Sequence, residues 1–145
     1  MQVKQISVFV ENKQGRMAHI TNILGENHID IRAISVADTT EFGILRLIVS
    51  DPQKACDALK AAGCTVSITN VLAVQIDDQP GGLAKIMTAL SDGSINVEYI
   101  YAFITQIKQH ACVILKTSDP ERAAEILKQQ DIKLLTGEEV CFQGE

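Results

Sequence analysis

Aliphatic residues fall on every second position from Ile6 through Val8 to Val10, the spacing that puts them on one side of a β-strand. A polar, glycine-bearing stretch, Glu11–Gly15, follows. The period then changes: Met17, Ile20, Ile23 and Leu24 recur at three and four residues, the apolar stripe of an amphipathic helix. Gly25-Glu26-Asn27 is expected to stop that helix. Two further apolar stretches, Ile29–Ala37 and Ile44–Ser50, read as a hairpin. Asp51-Pro52 then supplies an N-cap and a proline at the first helical position. The helix it starts runs to Gly63, and a last strand closes the series. The predicted order is βαββαβ.

The same order then repeats. Laying Ala73 onward over Ser7 onward places Val74 on Val8, Gly81 on Gly15, Ala84 on Ala18, Ile86 on Ile20, Leu90 on Leu24, Ile95 on Ile29 and Ile100 on Ile34, at a constant offset. Leu72, Val74 and Ile76 form the second opening strand. Asp77–Gly82 is its loop, Leu83, Ile86, Met87 and Leu90 are its helix stripe, and Ser91-Asp92-Gly93 is its expected stop. A second hairpin is expected over Ile95–Ile104 and Ala111–Thr117. Ser118-Asp119-Pro120 repeats Ser50-Asp51-Pro52 two residues further along, so the extra pair belongs to the turn before it, where insertions are tolerated. The second copy's second helix is expected to end near Gln130. The fold class implied is α+β: two tandem ferredoxin-like βαββαβ modules with antiparallel sheets, 1–70 and 71–145, joined near Asn70 with almost no linker.

The middle strands are not polar on either face. Either Leu45, Leu47 and Val49 or Ile44 and Ile48 must point away from the helices, and Tyr99, Tyr101 and Phe103 fall on one face of their strand. An antiparallel sheet with one solvated face should alternate cleanly. Both faces therefore need cover, from the other copy or another chain, and a homodimer is expected.

Composition narrows the function classes. The chain has 145 residues, is 46% apolar and 21% charged, and carries a net charge of −5, values of a globular domain. The longest apolar run, near Ile44–Val49, is broken by Arg46 and falls far short of the roughly 18 residues a membrane helix needs. The amino-terminal segment turns polar too soon for a secretory signal, so a cytoplasmic location is expected. Negative charge without a basic run argues against a nucleic-acid partner. An RNA-binding platform needs aromatics on both middle strands; against Tyr99, Tyr101 and Phe103 the first copy offers Ile31, Ala33 and Ser35, and packing accounts for the rings.

Cys56, Cys64, Cys112 and Cys141 contain no Cys-x-x-Cys pair, and His19, His28 and His110 make no i, i+4 pair. Neither loop contains the cysteines of a metal carrier. Reduced, mostly buried thiols are expected, with no metal and no cofactor. No Ser/His/Asp set or phosphate loop is visible, so no catalytic residue is assigned. Asp77-Asp78 is the sole carboxylate doublet beside a glycine loop, and a small enzyme using it is the weakest of the readings.

The two loops carry the chemistry. Gly15 and Gly81 stand where a strand hands over to a helix N-terminus, whose free N–H groups favour an anion. Asn12 and Asp78 precede them, with oxygens able to accept hydrogen bonds from an ammonium group. A carboxylate and an ammonium one carbon apart, an α-amino acid, satisfies both. Equally, the glycines serve a tight turn while Asn12 and Asp78 cap the helices.

Asp77-Asp78-Gln79-Pro80-Gly81-Gly82-Leu83, an amphipathic helix and Ile95-Asn96-Val97 together resemble the ACT domain, an amino-acid-sensing regulatory module similar to those of phosphoglycerate dehydrogenase and the acetolactate synthase regulatory subunit. The resemblance covers the chain as two copies. It implies an effector between two modules, held by the first loop of one and the second-strand start of the other. That implicates Asn12, Gly15, Arg16 and Met17 with Asn96, and Asp78, Gly81, Gly82 and Leu83 with Asp30. The first copy departs from the pattern: Gln14-Gly15-Arg16-Met17 replaces Pro-Gly-x-Leu, and Asp30 replaces asparagine. Unequal sites are expected. The implied function is a non-catalytic regulatory protein sensing a free amino acid. The alternative is a regulatory subunit bound to a metabolic enzyme, with vestigial pockets.

Overall fold

Each half of the chain builds its sheet from the alternating segments and covers one face with its two helices. In the computed structural model, which describes residues 2–38, 42–103 and 110–141, the first half comprises β1 (Val3–Glu11), α1 (Arg16–Glu26), β2 (Ile31–Asp38), β3 (Phe42–Val49), α2 (Pro52–Ala61) and the start of β4 (Thr65–Asp77). The second comprises the rest of β4, α3 (Gly82–Asp92), β5 (Val97–Phe103), β6 (His110–Thr117), α4 (Pro120–Gln129), β7 (Leu134–Leu135) and α5 (Gly137–Cys141). One compact unit spans Lys4–Thr69 and the other is formed chiefly by the chain from Asn70 onward. The strand orders are β2-β3-β1-β4 in the first and β5-β6-β4-β7 in the second. The pairings β1·β3, β2·β3, β4·β6, β5·β6 and β4·β7 are all antiparallel. This is the α+β, tandem ferredoxin-like architecture.

The helix-facing sides hold the two cores. Ile6, Val8, Leu45, Leu47 and Val49 pack with Ile20, Leu24 and Leu59 in the first unit. Leu72, Val74, Val113 and Leu115 pack with Ile86, Leu90 and Leu127 in the second. Burying each such side chain is worth about 1.5–3 kcal/mol, which sets the orientation of β3. Leu45, Leu47 and Val49 face the helices, so Ile44 and Ile48 face away. That opposite face is buried too, at Ala33 and Ile48 in one unit and Ala73, Cys112 and Ile114 in the other.

Helix ends follow the sequence, with α1 ending at Glu26 and α3 at Asp92 inside the expected stops. Asp51 and Asp119 cap α2 and α4, accepting from the amides of Lys54 and Arg122, both at 3.1 Å, ahead of a proline. Gly25, however, lies inside α1, and Gly93 keeps a negative φ; neither makes the turn. The left-handed residue beyond each helix is His28, Gly63, Ser94 or Asp131. The amide one residue further on then donates back to the last turn: Ile29 to Leu24, Cys64 to Leu59, Ile95 to Leu90 and Ile132 to Leu127. These are Schellman closures, with an apolar or thiol side chain following each one.

Three further details differ from expectation. At the constant offset of the two copies Ile31 matches Val97, and beside equivalent β-bulges at Ile31/Ala33 and Val97/Tyr99 both pack on the helix-side cores, so Ala33 and Ser35, without Ile31, correspond to Tyr99 and Tyr101. Those two rings stack with centroids 6.4 Å apart. The strand expected to close the second module is only two residues long and leads into α5. There Thr136 and Glu139 exchange hydrogen bonds, each 3.2 Å, in a capping box. Ile104 and the two-residue difference between the hairpin turns lie outside the described residues.

Candidate functional site

Both loops are closed by the same backbone bonds. The Lys13 amide donates to the Glu11 carbonyl and the Gln79 amide to that of Asp77, each at 2.8 Å. The N-cap residues Gly15 and Gly81 have φ of 86° and 89°, a left-handed conformation glycine adopts without penalty. Neither helix receives a side-chain cap, so Asn12 and Asp78 do not cap α1 and α3. Past each glycine the helix ladder begins only with the amides of His19 and Lys85, bonded to the Gly15 and Gly81 carbonyls. The amides of Met17, Ala18, Leu83 and Ala84 have no hydrogen-bond partner among the described residues. Among the described residues nothing lies within 4 Å of where a Cβ on Gly15 or Gly81 would stand. An open approach to unpaired first-turn amides is what an anion needs.

Gly82 has a different reason to be glycine. A Cβ there would collide with the Asp77 carbonyl oxygen, so the start of α3 approaches the end of β4 more closely than a side chain permits. Arg16 holds the matching place in the first loop, and the two loops are correspondingly unequal.

The start of the second strand is fixed in each module by the serine of Ser-Asp-Pro. Ser50 Oγ accepts from the Asp30 amide at 3.0 Å and its own amide donates to the Asp30 carbonyl at 2.9 Å. Ser118 grips Asn96 in the same way, at 3.2 and 2.9 Å. One repeated tripeptide thus clamps the strand start and caps the following helix. The Asp30 carboxylate is exposed and lies 3.2 Å from the guanidinium of buried Arg32. In the second module Glu98 holds the position of Arg32 and pairs instead with Lys116 at 3.3 Å, reversing the charge beside the predicted binding residue.

Each loop borders a cleft in its own unit, against the turn that follows the second helix. The first, about 210 Å³, is lined by Phe9, Glu11, Arg16, His19, Phe42 and Cys64 among others. The second, about 290 Å³, is lined by Asp77, Gly81, Gly82, Lys85, Ile132 and Lys133 among others. Of the residues expected from sequence, Arg16 lines the first and Gly81 and Gly82 the second. Asn12, Gln14, Gly15, Met17, Asp30, Asp78, Leu83 and Asn96 lie outside both. Sequence reasoning missed Phe9, Phe42 and the post-helix turns; the repeated position of Gly63 and Asp131 after the second helices is the signal that marks them.

Charge is concentrated at the first loop. Glu11 lies 3.0 Å from the Lys13 ammonium and 3.7 Å from the Arg16 guanidinium. The hydrogen bond and charge of Lys13, then the charge of Arg16, hold its carboxyl below the ordinary 4.5. At the second loop Asp77 faces His110 at 3.8 Å, beyond hydrogen-bond distance. Among the described residues no three His, Cys, Asp or Glu side chains converge as metal ligands, and no helix is long and apolar enough to cross a membrane.

Paired ferredoxin-like modules with glycine-capped first loops define an ACT regulatory module, and the chain belongs to the ACT domain pair family, matching it over residues 1–142. Comparison with curated proteins returned no match. Among solved structures, the chain is similar to protein BT0572 from Bacteroides thetaiotaomicron, at 38% identity and a TM-score of 0.92, over 97% of this chain and 96% of that one. The regulatory subunit of aspartate kinase from Thermus thermophilus shares the fold at 20% identity and a TM-score of 0.66, over 87% and 91% of the two chains. That from Thermus flavus does so at 20% identity and 0.61, over 87% and 90%. An ACT pair is typical of ligand-binding regulatory modules and is not a catalytic domain.

Proposed function

We propose that this protein is an amino-acid-binding regulatory protein, built of modules 1–70 and 71–145, that responds to a free amino acid at its glycine loops. The observation that carries this reading is the pair of unpaired amides in the first turns of α1 and α3, beneath glycines with open space above them. The ligand carboxylate sits on those amides. Asn12 or Asp78 accepts from its ammonium, with Arg16, Met17, Gly82 and Leu83 alongside. Asp30 or Asn96 of a neighbouring module, steadied by its serine clamp, completes the contact. Binding shared between modules ties occupancy to their packing, the property a sensor requires.

The output is a second protein, a metabolic enzyme in this reading. The shared fold of aspartate kinase regulatory subunits supports that direction. A homodimer is supported by large apolar side chains left exposed, Ile34 and Val36 on edge strand β2. Four free cysteines fit a reducing, cytoplasmic setting.

A thermal-shift screen of the full chain against the twenty amino acids tests this, because a ligand that binds only the native state raises Tm. At least one amino acid should do so. Gly81→Val, which closes the approach to the second loop, should remove that loop's share of the shift, and Asp78→Ala should reduce it. No response to any amino acid would contradict the reading; an unchanged response in both variants would move the site elsewhere.

A further inference from the structure

We propose that the cleft of the first module selects amino acids with a large apolar side chain, a phenylalanine- or leucine-like ligand, while the second module's cleft does not. The inference rests on the amino-acid reading above and adds the side-chain class. Phe9 and Phe42 line that cleft with their rings 5.6 Å apart and tilted by 48°, yet 54% and 43% of their surfaces remain in water. Two aromatic rings held together at a cleft mouth and left half wet form a surface that gains from being covered.

Polar groups beside them have the signs an amino acid needs. Arg16 starts α1 and lines the cleft, so its guanidinium offers a carboxylate partner, and Glu11, 3.7 Å from it on the same cleft, offers an acceptor to the ammonium. A volume of about 210 Å³ lies below the 300–1,000 Å³ of a typical drug-sized pocket and suits one amino acid.

Duplication supplies the control within the molecule. Glu11 pairs with Phe42 across β1 and β3, and Asp77 with His110 across β4 and β6, so His110 is the counterpart of Phe42. Gln75 is the counterpart of Phe9, and Gly82 that of Arg16. At those three places the second module has an amide, an imidazole that lies outside its cleft, and no side chain at all. The second cleft sets Lys85 and Lys133 beside Ile76, Ile86 and Ile132 and has no aromatic ring.

Isothermal titration of the full chain with phenylalanine, leucine, glycine, aspartate and lysine tests the selectivity. Phenylalanine should bind at least tenfold more tightly than aspartate or lysine. Phe9→Ser, and independently Phe42→Ser, should raise its Kd at least fivefold without loss of the folded circular-dichroism spectrum. Preferential binding of a charged amino acid, or a Kd within twofold of the parent in both variants, would overturn the side-chain assignment and leave the parent reading standing. A drop in sedimentation mass in those variants with Kd unchanged would assign the rings to contact between copies and overturn it likewise. Failure of every amino acid to bind would remove the parent reading and this one together.

Discussion

Thr117 and Val49 occupy equivalent places in the two modules, and the difference between them is one buried hydroxyl. Thr117 is 1% exposed, and its Oγ1 has no hydrogen-bond partner among the described residues. A buried, unpaired hydroxyl forfeits its water hydrogen bonds, at a cost of about 1–3 kcal/mol. Thr117→Val should therefore stabilise the protein by about 1 kcal/mol in urea unfolding; a loss of stability would show that the hydroxyl finds a partner. Glu11 offers a second check at this scale. Its carboxyl is held below 4.5 by Lys13 and Arg16, so the ion pairs are intact above 4.5 and are lost as pH falls through the lower folded value. A side-chain NMR titration should give a midpoint below 4.5, and Lys13→Gln should move it upward. A midpoint at or above 4.5 in the parent would contradict the cluster.

At the level of elements, periodicity located nearly everything that local sequence controls. Stripes at three and four marked α1 and α3, alternation marked β1 and the start of the second module, and Asp-Pro marked α2 and α4. What escaped was set by non-local geometry or by one-residue register. The stops at Gly25-Glu26-Asn27 and Ser91-Asp92-Gly93 were legible, and α1 and α3 end there; the left-handed residues His28 and Ser94 were not, because the Schellman closure sets them where Ile29 and Ile95 can follow into the core. The β-bulges likewise leave no mark in a period-two pattern, whereas the match of Ile31 to Val97 and Ala33 to Tyr99 was already given by the constant offset of the two copies. Thr136-Gly-Glu-Glu139 is a capping box by sequence, but the helix behind it has only five residues and carries no apolar stripe to mark it. Removing that box with Thr136→Ala should lower the opening free energy of α5 by about 1 kcal/mol. The Val140 amide, bonded to the Thr136 carbonyl at 3.0 Å, reports it by faster hydrogen exchange; unchanged exchange would mean the cap contributes nothing.

Across the whole molecule, duplication sets both the fold and the logic of the site. One βαββαβ plan was written twice, and the copies then diverged where a ligand would touch them: Arg16 against Gly82, Asp30 against Asn96, Arg32 against Glu98, Phe9 and Phe42 against Gln75 and His110. Most core positions kept their apolar character, Val49 against Thr117 being an exception, while these did not. The glycine loops were legible because a strand, a glycine and a helix stripe are contiguous in sequence. The clefts were not, since they form only when the turn after the second helix comes back to the first loop. Family membership over residues 1–142 is consistent with that division, for it follows the frame and leaves ligand choice to the side chains around it.

The amide signals of the loops offer the most direct test of amino-acid sensing. In a two-dimensional ¹H–¹⁵N spectrum, titration with the amino acid that raises Tm should shift the amides of Met17 and Ala18 or of Leu83 and Ala84 first and most, and saturably. Spectra unchanged by all twenty amino acids, or shifts confined to residues away from both loops, would contradict the account.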